Sequence, residues 1–160
     1  MYTCVGERCT TARIDHKLTR TDGSTIAVNF QNNVPGGKSP DQPVKTATAK
    51  TFEDGLKASK ASSVTVNSTT GGHQSGDHAK GNAVDVSQIN GHNVGSAAAG
   101  KDVQNLQEAF RGQDKIRENF GPALVEKTYQ EGGVAKPLDP VVFKDVYSGH
   151  ETHVHESTFD

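Results

Sequence analysis

The chain has 160 residues and a mass of 17.0 kDa, the size of one ordinary domain with a single core. Only 31 of the 160 residues are Leu, Ile, Val or Phe, and the formal net charge is −2, so the chain lacks the charge excess typical of disordered proteins. No apolar run approaches the roughly 18 residues of a transmembrane helix, and the dispersed Lys and Arg with a pI near 6.4 disfavour a nucleic-acid surface.

The first half of the chain predicts two strands and a helix. Apolar residues alternate along residues 24–30 and 63–67, which predicts a strand in each segment. Between them, apolar residues recur at helical spacing up to about residue 59. This helix begins near Ser39, or a few residues later because of Pro43.

The second half predicts three more strands and a long helix. A strand begins at Ala83, and two closing strands are expected over residues 141–147 and 152–157. The apolar stripe between Lys101 and Phe120 predicts a helix that ends at Gly121. These elements predict an α+β fold in which helices flank a small antiparallel sheet.

The seven histidines suggest that a metal ion stabilises this small core, because most of them fall in two short segments. A His and an Asp at the start of one strand, with a His from a neighbouring strand, would supply three zinc ligands. If residues 151–155 are extended, Glu151, His153 and His155 point to one face. The same alternation places Asp85 opposite the core side of its strand. His16 and His92 are interpreted as surface residues.

The order His78-x-x-Gly81-x-Ala83-x-Asp85, followed late by His153-x-His155, resembles a zinc peptidase superfamily. This superfamily joins D-Ala-D-Ala carboxypeptidases, lysostaphin-type endopeptidases and the hedgehog signalling domain, and the likeness is to its D-Ala-D-Ala peptidase branch. It implies zinc ligands at His78, Asp85 and His155, and a zinc site on the face of the sheet. It also implies one metallopeptidase domain over 1–160, with a catalytic core at 63–160 and an N-terminal extension at 1–62.

The departures from the family pattern affect the other site residues. The position three residues before His155, where the family often has an acid, is Thr152, so His153 is the first choice for proton transfer and Glu151 the second. No Arg lies between Arg20 and His78 to hold the terminal carboxylate of a carboxypeptidase substrate, as an Arg does in the D-Ala-D-Ala carboxypeptidases. This absence favours an endopeptidase, although Lys80 offers a point charge for such a carboxylate. His73 and Ser75 are expected to contact substrate or the ligands, with a turn-forming role for Ser75 equally open.

The resemblance therefore implies a zinc-dependent peptidase that cleaves stem peptides or crossbridges of peptidoglycan, as a phage lysin or a secreted antibacterial effector. Two alternatives stay open: a D,D- or L,D-carboxypeptidase of the same family, and a non-enzymatic, metal-stabilised binding module. Expected partners are peptidoglycan peptides and an immunity protein or secretion-system carrier, without nucleic acid or membrane insertion. The protein is expected to act in the periplasm or on the extracellular cell wall. Residues 1–8 do not resemble a signal peptide, so delivery by phage lysis, a secretion machine or a longer precursor is expected.

Overall fold

The computed structural model describes residues 10–31, 39–71 and 73–160, so Cys4 and Cys9, whose pairing the sequence leaves open, lie outside the described residues. Within these ranges the strands are β1 (Thr11–Ala12), β2 (Lys17–Thr19), β3 (Thr25–Phe30), β4 (Val44–Lys45), β5 (Ser63–Ser68), β6 (Ala83–Ile89), β7 (His92–Asn93), β8 (Ile116–Phe120), β9 (Val125–Lys127), β10 (Lys136–Pro137) and β11 (Val154–Thr158). The helices are α1 (Thr46–Ala58), α2 (Gly76–Lys80), α3 (Gly100–Arg111) and α4 (Lys144–Gly149), with a 3-10 turn at Ala97–Ala99.

Nine of these strands form one mixed sheet in the order β10-β9-β8-β11-β6-β5-β3-β2, with β7 paired to β6. The predicted α+β class is confirmed, but the prediction of a small antiparallel sheet is wrong. The chain crosses over through α1 between β3 and β5, and such a crossover returns the second strand parallel to the first. β2 and β3, from the first 62 residues, therefore belong to the same sheet as the strands that follow, whereas β1 and β4 pair with each other in a separate two-stranded sheet.

The core lies between one face of this sheet and the helices α1 and α3. The rings of Phe52 and Phe110 stack across the two helices with centroids 5.8 Å apart. Gly55 allows this approach, because a side chain there would overlap the Phe110 ring. The valines of β5 and β6 close the core from the sheet side and are fully buried, as the alternation predicts: Val64, Val66, Val84 and Val86.

The predicted helix over residues 101–120 is correct only in its first half. α3 ends at Arg111, Gly112 follows it, and the chain then turns into β8. Glycine is a poor helix former, and the apolar residues from Ile116 onward also fit the side-chain period of a strand. The apolar residues on the two sides of the turn happen to continue the same helical spacing, which is why the sequence predicts one helix.

The predicted strand over residues 141–147 is wrong, because this segment is a turn followed by α4. The carboxylate of Asp139 accepts hydrogen bonds from the backbone N–H groups of Val141 and Val142 at 2.8 and 3.1 Å. This local capping outweighs the strand preference of the Val-Val-Phe run, and both valines remain largely exposed.

The central strand β11 separates the core from the opposite face of the sheet. It lies between β6 and β8, and its alternate residues point to opposite sides. Val154 belongs to the core, and the Thr158 hydroxyl contacts that of Thr48 on α1 at 2.7 Å. His155 and Ser157 therefore face away from α1 and α3. Among the described residues, no helix is long and apolar enough to cross a membrane.

Candidate metal centre

Asp85 and His155 form the centre of the site on the face of the sheet opposite α1 and α3. They are direct partners in the antiparallel pairing of β6 with β11, so their side chains lie beside each other. The His155 Nδ1 donates a hydrogen bond of 2.8 Å to Asp85 Oδ1, and both residues are buried. The alternation expected for β6 is confirmed, since Val84 and Val86 enter the core while Asp85 faces the site.

His78 reaches the same carboxylate from the short helix α2. Its Nε2 lies 3.1 Å from Asp85 Oδ2, and its Nδ1 donates a hydrogen bond of 2.7 Å to the carbonyl oxygen of Thr69. Gly81 ends α2 in the left-handed conformation, with φ at +79°, which lets the chain turn at once into β6. This turn brings His78 next to Asp85.

These three side chains bring one donor atom each to within 4.8 Å of one another, which makes them a candidate metal-ligand group. The two histidines approach different oxygens of Asp85, with 2.8 Å from His155 Nδ1 to Oδ1 and 3.1 Å from His78 Nε2 to Oδ2. Zinc binds imidazole nitrogens and carboxylate oxygens at about 2.0–2.2 Å. Because Nδ1 of His78 is engaged with Thr69, Nε2, which faces Asp85, is the atom that would bind a metal ion. The donor set therefore fits a divalent metal ion.

The ionisation of Asp85 and His155 is strongly coupled in the metal-free protein. Burial opposes the charged form of Asp85, but hydrogen bonds from His155 and His78 outweigh it and hold its pKa far below the usual value. Burial likewise lowers the pKa of His155, and its hydrogen bonds to Asp85 and Glu118 outweigh that effect and raise it to about 10. A metal ion would replace the proton on Nδ1 of His155.

His153 lies next to the metal centre, just before the first residue of β11. Its side chain is 22% exposed, and its Nε2 is 3.9 Å from Asp85 Oδ2. Burial lowers its pKa, so the ring is neutral near pH 7 and can accept a proton.

The extended conformation expected from Glu151 onward is wrong, because residues 151 and 152 form a bend and β11 begins only at Val154. Glu151 is exposed, so strand alternation does not place it beside His153. The bend follows directly from α4, which ends at Gly149. The role of Glu151 in proton transfer stays a prediction.

Of the three residues expected near the substrate, only His73 contacts a side chain of the candidate ligand group among the described contacts. His73 stacks on His78 with ring centroids 4.3 Å apart, and its Nε2 lies 2.7 Å from the Ser68 hydroxyl. Ser75 is exposed and occupies the N-cap position of α2 without a capping hydrogen bond from its side chain. Lys80 is exposed at the end of α2 and lines a small polar pocket with Arg117.

Two further residues of the site are absent from the sequence-based expectations. His150 lies at the C-cap of α4, donates a 2.6 Å hydrogen bond from Nδ1 to the Val146 carbonyl, and places its ring 4.8 Å from that of His153. Its position in the sequence, three residues before His153, could have indicated that it belongs to the site. Glu118 on β8 lies 3.3 Å from His155 Nε2, and the mistaken helix across residues 101–120 hid it.

The remaining histidines lie outside the candidate ligand groups. His16 is exposed and pairs with Asp41 at 2.9 Å, and His92 is exposed on β7. Comparison with models of protein families, curated proteins and solved structures gives no significant match. The resemblance to the zinc peptidase superfamily therefore stays a prediction based on the sequence motif.

Proposed function

We propose that this protein is a zinc-dependent endopeptidase that cleaves a peptide bond in the stem peptide or crossbridge of peptidoglycan. The observation that supports this most is the convergence of His78, Asp85 and His155 on one point of the sheet face. Two imidazole nitrogens and a carboxylate oxygen are a ligand set that zinc prefers, and three protein ligands leave a coordination position open for catalysis. The peptidoglycan substrate follows from the motif resemblance.

Zinc held by these residues would supply a Lewis acid that polarises a carbonyl group and makes water more acidic. His153 would take a proton from the attacking water and pass it to the leaving amine; its neutral ring, with Nε2 3.9 Å from Asp85 Oδ2, supports this role. His150 packs against His153 and is also kept neutral by burial, which lowers its pKa. The pair forms a second group of imidazoles along the edge of the metal centre.

The arrangement of cations supports cleavage within a peptide rather than at its carboxyl terminus. Arg117 approaches the site, but its guanidinium is already paired with the carboxylates of Asp77 and Glu118. A guanidinium engaged in this way is poorly available for the terminal carboxylate of a substrate. Lys80, which is exposed and lines a polar pocket with Arg117, is a cation that would serve a carboxypeptidase, the alternative within the same family.

Peptidoglycan digestion separates these functions. Purified peptidoglycan would be incubated with the zinc-loaded wild type, His153→Ala and His155→Ala, with and without chelator, and the released fragments identified by mass spectrometry. His92→Ala is the matched control, because His92 is exposed and lies outside the candidate ligand groups. We expect fragments from the wild type and the control only, with zinc retained by His153→Ala and lost by His155→Ala.

Each other outcome has a defined meaning. Release of single terminal D-Ala residues would identify a carboxypeptidase. Zinc binding without any released fragment would overturn the enzymatic proposal and favour the metal-stabilised binding module. Undiminished zinc content in His155→Ala would overturn the ligand set. Released fragments would support the proposal that the protein acts in the periplasm or on the extracellular cell wall, with an immunity protein or a secretion-system carrier as the expected partner.

A further inference from the structure

The ring of His155 is held on both sides, and each nitrogen has a different acidic partner. Nδ1 faces Asp85, while Nε2 lies 3.3 Å from Oε2 of Glu118. We propose that Glu118 is the positioning residue that keeps the proton of His155 on Nε2 and so leaves Nδ1 for a metal ion. This inference rests on the metal centre of the proposed function. An outer carboxylate of this kind fixes both the tautomer and the orientation of a ligating imidazole.

An irregularity in β8 brings Glu118 to the site. Ser157 pairs with Glu118, but the next residue of β11, Thr158, pairs with Ile116, so Arg117 is an extra residue in the pairing. Such a bulge redirects the side chains that follow it. Ile116 remains in the core, while Glu118 faces the site beside Ser157, whose hydroxyl lies 3.4 Å from Oε2.

Two cations surround the other oxygen of Glu118, Oε1. Lys127 is its direct partner on β9 and donates to Oε1 at 3.0 Å, and Arg117 lies 3.3 Å from the same atom. With two cations at Oε1, the carboxylate presents Oε2 as a hydrogen-bond acceptor, so Nε2 of His155 is the donor in their contact.

The same network connects the two elements that carry the histidine ligands. Arg117 pairs with Asp77, the neighbour of His78 on α2, as well as with Glu118 beside His155. Asp77, Glu118 and His155 also bring donor atoms within 4.8 Å of one another. Arg117 and Lys127 already neutralise the two carboxylates, so these residues act as an ion-pair network around the metal centre and not as a second metal site.

Two substitutions of similar size test this role. Glu118→Gln and Glu118→Met both remove the charge, but only Gln keeps an oxygen that accepts a hydrogen bond from Nε2. We expect Glu118→Met to bind zinc about 10- to 100-fold more weakly than the wild type, the usual effect of losing an outer partner. Glu118→Gln should recover most of this loss. Zinc affinity would be measured by competition with a chromophoric chelator, with circular dichroism as the check on folding.

Glu131→Gln is the control for the change in charge, because Glu131 is an exposed carboxylate paired with Lys115. A second readout is the Nε2–H resonance of His155 in the zinc-loaded protein. It should be observable in the wild type and in Glu118→Gln, and lost to solvent exchange in Glu118→Met. A merely structural role for Glu118 would not produce this pattern.

The outcomes separate this inference from the proposed function. If the wild type binds zinc and His155→Ala does not, but Glu118→Met binds like Glu131→Gln, the positioning role is wrong and the metal centre stands. Equal losses in Glu118→Met and Glu118→Gln would also overturn it, because hydrogen-bond acceptance would then be irrelevant. Failure of the wild type to bind zinc removes the metal centre itself, and with it this role. Should Glu118→Met not fold, a Gln variant as weak as His155→Ala would refute the inference.

Discussion

The most informative stability prediction concerns Glu156, which follows His155 on β11 but points into the core. Its side chain is fully buried, and neither carboxyl oxygen has a hydrogen-bond partner among the described residues. Burying a polar group without a partner costs about 1–3 kcal/mol. We therefore expect Glu156→Met, which has a similar volume and no polar oxygen, to increase the free energy of unfolding by an amount in this range.

The effect should depend on pH, because burial raises the pKa of Glu156 well above its ordinary value of 4.5. At a pH between 4.5 and the raised pKa of Glu156, the folded protein holds a proton on this carboxyl group that the unfolded chain releases. Stability therefore falls as pH rises through this window, by about 1.4 kcal/mol for each pH unit. Glu156→Gln has no carboxyl group to titrate at this position. The free energy of unfolding of this variant, relative to that of the wild type, should therefore increase by about 1.4 kcal/mol per pH unit above about pH 5.

Urea unfolding followed by circular dichroism between pH 5 and pH 8 measures both effects. Glu126→Gln is the control, because Glu126 is equally buried on the same side of the sheet but accepts two hydrogen bonds from Arg111, at 2.8 and 2.7 Å. Loss of that pairing should destabilise the protein by about 1–3 kcal/mol. Parallel pH profiles of the wild type and Glu156→Gln, or a Glu156→Met variant that is destabilised like the control, would refute the reasoning.

Three further predictions concern the metal and the core. Adding zinc at about 100 times its dissociation constant should stabilise the folded protein by about 2.7 kcal/mol, and chelator should lower the melting temperature by about 5–10 °C in scanning calorimetry; an unchanged midpoint would exclude a metal that supports the fold. Because the pKa of His155 is raised to about 10, zinc binding at pH 7 should release one proton, and the zinc affinity should rise about tenfold per pH unit. Calorimetric titrations in buffers of different ionisation enthalpy would count the released proton. A count of zero would contradict the assignment of His155 as a ligand. Gly55→Ala should destabilise by about 1–3 kcal/mol in urea unfolding because the new methyl overlaps Phe110, whereas Gly100→Ala, with open space around it, should not.

Local patterns in the sequence predict two strands of the sheet that carries the site, one of which holds the ligand Asp85. Alternating valines identify β5 and β6, and the same alternation places Asp85 opposite the core. Gly81 marks the turn that brings His78 back to this strand. These features depend on neighbouring residues only, so they can be read without the tertiary structure.

The parts that sequence reasoning misses depend on longer-range pairing. Glu118 reaches the site because the pairing of β8 with β11 slips by one residue at Arg117, and no local pattern announces that slip. The segment after Asp139 fails for another reason, since a single side-chain cap overrides the strand preference of the residues that follow. The bend at Glu151 likewise depends on where α4 ends.

The structure also explains how a chain with so few large apolar residues closes a core. Gln107 on α3 is fully buried, donates to the Leu124 carbonyl at 2.9 Å and to Asn119 at 3.2 Å, and accepts from the backbone of Ala123 at 3.0 Å. Polar side chains that satisfy their hydrogen bonds extend the core without the loss that unpaired groups cause. Glu156 departs from this pattern directly behind the metal ligand His155. If its replacement stabilises the protein but weakens zinc binding, the unpaired acid serves the site rather than the fold.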